Sequence, residues 1–190
     1  MSFPGRPNPL MTLEPLLEAV REGLEGTGWE LSGLQKTTSY EFEGRWAGDS
    51  SRSAYLFFHK SGVPEGVSLD VFLDETSQGL KGNLALVMDG PSLGELAPPG
   101  EVLEGLAEVA RGHLPQRYRT PITLRLSLPA LGSPAAEVET EYRIKLYIPR
   151  EALRAGHSAV SALAATASEA FGRVLESPDL VRFLGESAGP

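Results

Sequence analysis

Hydrophobic and polar positions follow two rhythms along the chain. Leu13, Leu16, Leu17, Val20 and Leu24 keep the i, i+3, i+4, i+7, i+11 spacing of a single apolar stripe, which predicts an amphipathic helix. Thr12 is a good N-cap for it, Glu14 suits the positive end of its dipole, and Pro15 is tolerated in the first turn. Gly26 and Gly28 should stop it. The period then drops to two. Tyr40, Phe42 and Trp46 alternate with Glu41, Glu43 and Arg45, predicting a strand with one wet face. After a turn at 48–51, the nearly continuous apolar run from Ala54 to His59 predicts a strand buried on both faces. Val67, Leu69, Val71 and Leu73 alternate with Ser68, Asp70, Phe72 and Asp74. Leu84, Leu86 and Met88 predict a further strand at about 80–88. Short turns between these segments make an antiparallel meander.

A Gly- and Pro-rich loop over 90–100 precedes a second helix, whose Val102, Leu103, Leu106, Val109 and Ala110 share one face. Ile122, Leu124, Leu126 and Leu128 form the next alternating strand. Tyr142, Ile144, Leu146 and Ile148 form another after a turn at 132–136. A long helix is expected over 157–176, with Val160, Leu163, Ala164, Ala167, Phe171, Val174 and Leu175 inward. Pro178 then starts a short final turn. Runs of strands with helices to cover them indicate an α+β fold. The expected architecture is an antiparallel sheet of five to six strands packed with three helices, in the order α-β-β-β-(β)-α-β-β-α. Residues 1–11, with three prolines and no periodicity, read as a flexible tail, 12–185 as one domain, and 186–190 as a frayed C-terminus.

Composition narrows the function classes. The chain has 190 residues, 41% of them hydrophobic, which is enough for a packed core without metal or disulfide support. A formal net charge of -8 argues against a dedicated nucleic-acid binder, which must neutralise phosphates, and against a polybasic membrane helix. No cysteine is present, which removes disulfides, thiolate metal sites and Cys nucleophiles. No apolar stretch follows Arg6 and none is long enough to span a bilayer, so a cytoplasmic protein is expected. Arg far outnumbers Lys, and Leu, Ala and Gly are abundant, suggesting a GC-rich bacterial source.

The opening helix ending at a Gly near Trp29, the middle helix Glu101–Leu114, the strand pair Thr120–Leu128 and Val138–Ile148, and the closing helix together resemble the YbjN family. Through it they resemble the class I chaperones of type III secretion. The resemblance covers about residues 12–176 and departs from the family at 80–88, where an extra strand precedes the middle helix. It implies a homodimer that grips a partner protein on exposed apolar patches, without catalysis or cofactor. It carries over no individual functional residue.

Residues with catalytic potential have simpler readings. His59, His113 and His157 fall in three separate segments, without the His-x-x-x-His or His-Glu-x-x-His spacing of metal ligands, so structural roles are expected. His113 suits a helix C-terminus. Among Asp70, Asp74, Glu75 and Asp89, the first two should share a strand face about 13 Å apart. That is too far for a glycosidase pair, and a solvated face is expected. No Gly-x-Ser-x-Gly elbow occurs. The glycines at 23, 26 and 28 follow a helix where a phosphate loop would follow a strand. Arg117, Tyr118 and Arg119, with Arg125, Arg143 and Lys145 beside Tyr147, form the best basic–aromatic candidate. Glu139 and Glu141 on the same face point to cross-strand ion pairs instead.

The remaining expectation is a non-catalytic protein-binding module with no cofactor and no metal. Tyr55, Phe57, Phe58 and Phe72 put apolar side chains on both faces of their strands, so either helices cover both faces or one is a partner surface. Helix cover is the expected arrangement. The candidate partner surface is Phe57, Phe72, Arg117, Tyr118 and Arg119. Leu103, Leu106 and Val109 of the middle helix, or a sheet edge, are candidates for self-association. The alternatives are a small-ligand or lipid carrier with an internal cavity, and an accessory nucleic-acid or DNA-repair factor using the basic patch.

Overall fold

The computed structural model describes residues 12–39, 51–76, 78–93, 98–114, 116, 122–127 and 139–185. The tail 1–11, the expected strand from Tyr40 to Trp46, the cluster Arg117–Arg119, the turn 132–136 and the terminus 186–190 lie outside the described residues.

Helix α1 (Leu13–Leu24) opens the fold and four strands follow: β1 (Trp29–Ser39), β2 (Ser51–Lys60), β3 (Val67–Thr76) and β4 (Gly79–Asp89). Helix α2 (Pro99–His113) leads to β5 (Ile122–Ser127) and β6 (Glu139–Tyr147). Three helices close the chain: α3 (Arg150–Ala155), α4 (His157–Leu175) and α5 (Pro178–Gly185). The fold is α+β. Its six strands form one sheet in the order β1-β2-β3-β4-β6-β5, every pair antiparallel. The segment at 80–88 is therefore a strand. The first described strand occupies 29–39, where no apolar alternation had marked one. A β-bulge between Leu31 and Gly33 accounts for that.

The main buried cluster lies on one side of the sheet, and on the other side only Ala85 and Val87 of β4 are buried apolar residues among those described. Ala54, Leu56 and Phe58, then Leu69, Val71 and Leu73, then Leu84, Leu86 and Met88, then Tyr142, Ile144 and Leu146 are buried in the main cluster. The apolar stripes of α1, α2 and α4 complete it, with Phe171 and Leu16 fully buried. The intervening residues form the opposite face, which no described helix covers. This corrects two expectations. Strand β2 is buried on one face and not on both, since Tyr55 is 37% exposed and Phe57 only half-buried. Among the described residues no helix covers the Phe72 side. The physical reason is that each helix has one apolar stripe, and all three stripes are used on the same face.

Helix α1 is fixed to the sheet at its first turn. Thr12 makes no side-chain cap. Instead the Leu13 backbone N–H donates to Glu75 Oε2 at 3.1 Å, so a carboxylate from β3 satisfies the helix end. Arg52 on β2 donates to that same oxygen at 2.5 Å and to both oxygens of Glu14 at 2.8 and 3.3 Å. The cap is tertiary, which links the helix terminus to the register of β2 and β3. Thr12→Ala should accordingly change stability little, whereas Glu75→Ala should cost about 1 kcal/mol, the usual value of a lost cap. Urea unfolding of the two variants checks this; equal losses would contradict it.

Candidate functional site

The uncovered face can be built row by row from the strand registers. One row runs Gln35, Tyr55, Phe72, Asn83, Tyr147 across β1, β2, β3, β4 and β6. The next runs Gly33, Phe57, Asp70, Ala85, Lys145. A third brings Ser68, Val87, Arg143 and Thr123 into line. The Tyr55 and Phe72 rings meet directly, with centroids 4.8 Å apart and planes tilted by 43°. Phe57 lies over Gly33, where an added Cβ would come within 3.4 Å of its ring. Tyr147, 55% exposed, ends the first row. Three aromatic rings thus occupy the middle of a bare sheet face, with a fourth at its side.

Around them the charges are already paired. Asp70 accepts from Ser68 Oγ at 2.8 Å and lies 3.6 Å from Arg143 Nη2. Arg143 also donates from Nε to Glu141 at 2.5 Å. Asp74 accepts from Ser53 Oγ at 2.7 Å and from Lys81 Nζ at 3.1 Å. Asp70 and Asp74 do share a face, as their spacing implies, but it is not a solvated one for them. Their side chains are only 15% and 10% exposed, because the neighbouring rings and long side chains shield them. Tyr55, Phe57, Phe72, Asp70, Arg125, Arg143 and Lys145 enclose a recess of about 330 Å³ on this face.

The structure brings together Phe57 and Phe72 of the candidate partner surface, and gathers Arg125, Arg143 and Lys145 beside them. Arg143 pairs with Glu141 along its own strand and reaches across the sheet to Asp70 of β3, so the cross-strand carboxylate is Asp70 and not the expected Glu139 or Glu141. Leu106 and Val109 are buried in the core, and Leu103 packs against it half-buried. Helix α2 therefore turns its apolar face inward, which removes it as a self-association surface. His113 sits in the last turn of α2. His157, at the start of α4, pairs with Glu22 of α1. Among the described residues no group of three or more His, Asp or Glu is placed to hold a metal ion. Among them, too, no helix is long and apolar enough to cross a membrane. Tyr55, flagged among the aromatics, stands outside the expected partner surface. It lies in an apolar run, and only the one-sided core exposes it.

Comparison with protein-family models finds no match, and no curated protein and no solved structure matches the chain.

Burial raises the Asp70 carboxyl above its ordinary value of 3.8; the Ser68 hydroxyl and Arg143 pull it down without cancelling that effect. The folded chain then holds this proton more tightly than the unfolded chain does. Stability from this group is therefore greatest below about 3.8 and falls as pH rises through the raised value. Asp70→Asn lacks this component. Its stability relative to the natural chain should rise across that window and then level off, as read by urea unfolding at a series of pH values. A difference that stays constant with pH would contradict the assignment.

Proposed function

We propose that the chain is a non-catalytic protein-binding module of the bacterial cytoplasm whose partner seats an apolar anchor on the open face of the sheet. The observation that carries this reading is the aromatic group Tyr55, Phe57 and Phe72, set among charges that already satisfy one another. Covering a charge costs several kcal/mol when its partner is lost, but much less when the pair stays intact. Asp70 with Arg143 and Ser68, and Asp74 with Ser53 and Lys81, can be dehydrated as units. A partner then needs to supply mainly apolar surface, as at the centre of a protein interface. This is the manner of binding implied by the resemblance to YbjN proteins and secretion chaperones.

The same pairing weighs against the nucleic-acid reading. Arg143 sits between two carboxylates, so it has less to offer a phosphate, and the chain as a whole carries -8. The carrier reading has no comparable support, because the aromatic recess lies on the sheet surface.

The test is affinity capture with the full chain from its own cells, with nuclease treatment. A stoichiometric protein should be retained by the natural chain and by Glu169→Ala on the exposed side of α4. Tyr55→Ala/Phe72→Ala should weaken the purified complex by roughly 30-fold or more, the effect of losing about 2 kcal/mol at an interface hot spot. Affinity should change little with salt. Loss of the partner on nuclease treatment, a steep salt dependence, or full binding by the double variant with its circular dichroism unchanged would overturn the proposal.

A further inference from the structure

Strand β1 is one edge of the sheet, paired with β2 on its inner side. Its Leu31 and Leu34 are 42% and 45% exposed. In a regular strand, residues three apart point to opposite faces. The bulge at Ser32 removes that offset. Leu31 lies opposite Phe58 and Leu34 opposite Leu56, both residues of the core face. Two large apolar side chains therefore stand on one face at the rim of the sheet. Ser32 itself is held by a 3.0 Å hydrogen bond from its Oγ to the Phe57 carbonyl oxygen, which fixes the bulge in place.

We propose that this edge pairs antiparallel with the same edge of a second copy of the chain, about a two-fold axis between Ser32 and Gly33. Residues directly opposite in an antiparallel pair share a face. A regular strand laid along β1 keeps that match on one side of the bulge and loses it on the other. A second β1 carries the same bulge, and one register keeps the match throughout. It sets Leu31 opposite Leu34 of the second copy, twice over by symmetry, so four leucines meet on the axis. The same register sets Glu30 opposite Gln35 and Lys36 opposite Trp29, so no like charges face each other. Bulges usually blunt an edge against foreign strands. This one selects its own copy. The pairing continues the sheet and places both open faces on the same side, and it does not depend on what those faces bind.

The chain has no cysteine, so introduced thiols report only the geometry built into them. Leu31→Cys/Leu34→Cys puts two thiols about 10 Å apart within one chain, beyond disulfide reach. Across the proposed pair, the same positions would be about 4.5–5.5 Å apart, within reach. Mild oxidation should give a covalent dimer of the double variant and of an equal mixture of the two single variants. Neither single variant alone should cross-link. By sedimentation, the natural chain should be a dimer at tens of micromolar, and Leu31→Lys/Leu34→Lys should be a monomer with unchanged circular dichroism. A monomeric natural chain, a lysine variant that stays dimeric, or a dimer whose double-cysteine variant fails to cross-link would each overturn the proposal.

Discussion

The contact between α1 and α4 sets the rest of the structure. Gly23 on α1 packs against the backbone of α4, where a Cβ would run into the Ser161 carbonyl oxygen and lie 2.8 Å from the Ala164 Cβ. Only glycine lets the two helices come so close. With their backbones nearly touching, both helices can lay their stripes on β2, β3 and β4 at once, and Val20, Leu24, Val160 and Phe171 close the core between them. The Glu75 cap and the pairing of Glu22 with His157 hold α1 at its two ends. The helices form one layer, and all of it lies on one side.

That commitment decides the chemistry of the other side. The bare face could have been uniformly polar, as many antiparallel sheets are. Instead it concentrates rings at its centre and moves its carboxylates into partial burial among them. The elevated carboxyl of Asp70 is a physical sign of this, since a solvated strand residue would not feel desolvation as its largest influence. Tyr55 and Phe72 shield each other, so the patch is smaller in water than its residue count suggests. A face of this kind is tolerated alone and favours being covered.

Period-two spacing was enough to place β3, β4 and β6, because each keeps an unbroken inward row such as Leu69, Val71 and Leu73, and a continuous apolar run placed β2. The helical stripes were equally plain, and the expected closing helix at 157–176 matches α4 within a residue. Three features were not legible, each for a definite reason. Strand β1 hid behind its bulge, which puts Leu31 and Leu34 three apart and imitates neither rhythm. Helix α3 is six residues long, too short for a stripe to declare itself. The one-sidedness of the core was invisible because Ala54–Phe58 is apolar at every position. Such a run reads the same whether its second face meets a helix or nothing. The site went partly unread for that last reason, since pattern alone could flag Phe72 among its aspartates but could not tell exposure from cover.

The bulge and the bare face are consequences of the same shortage of covering elements. A long edge strand with exposed leucines and a sheet face with exposed rings are both surfaces that a further layer would normally hide. The described helices have no second apolar stripe to offer either one, since α1, α2 and α4 are already committed. The proposed second copy would satisfy the edge at no cost to the face, because antiparallel pairing through β1 adds strands beside the sheet and nothing above it. In the proposed pair the two aromatic faces would form one continuous surface on a two-fold axis. A partner with two matching anchors would engage the second without a new encounter, which raises its avidity without any additional contact on either protomer. In that proposed pair the geometry of the edge would set the valency of the face.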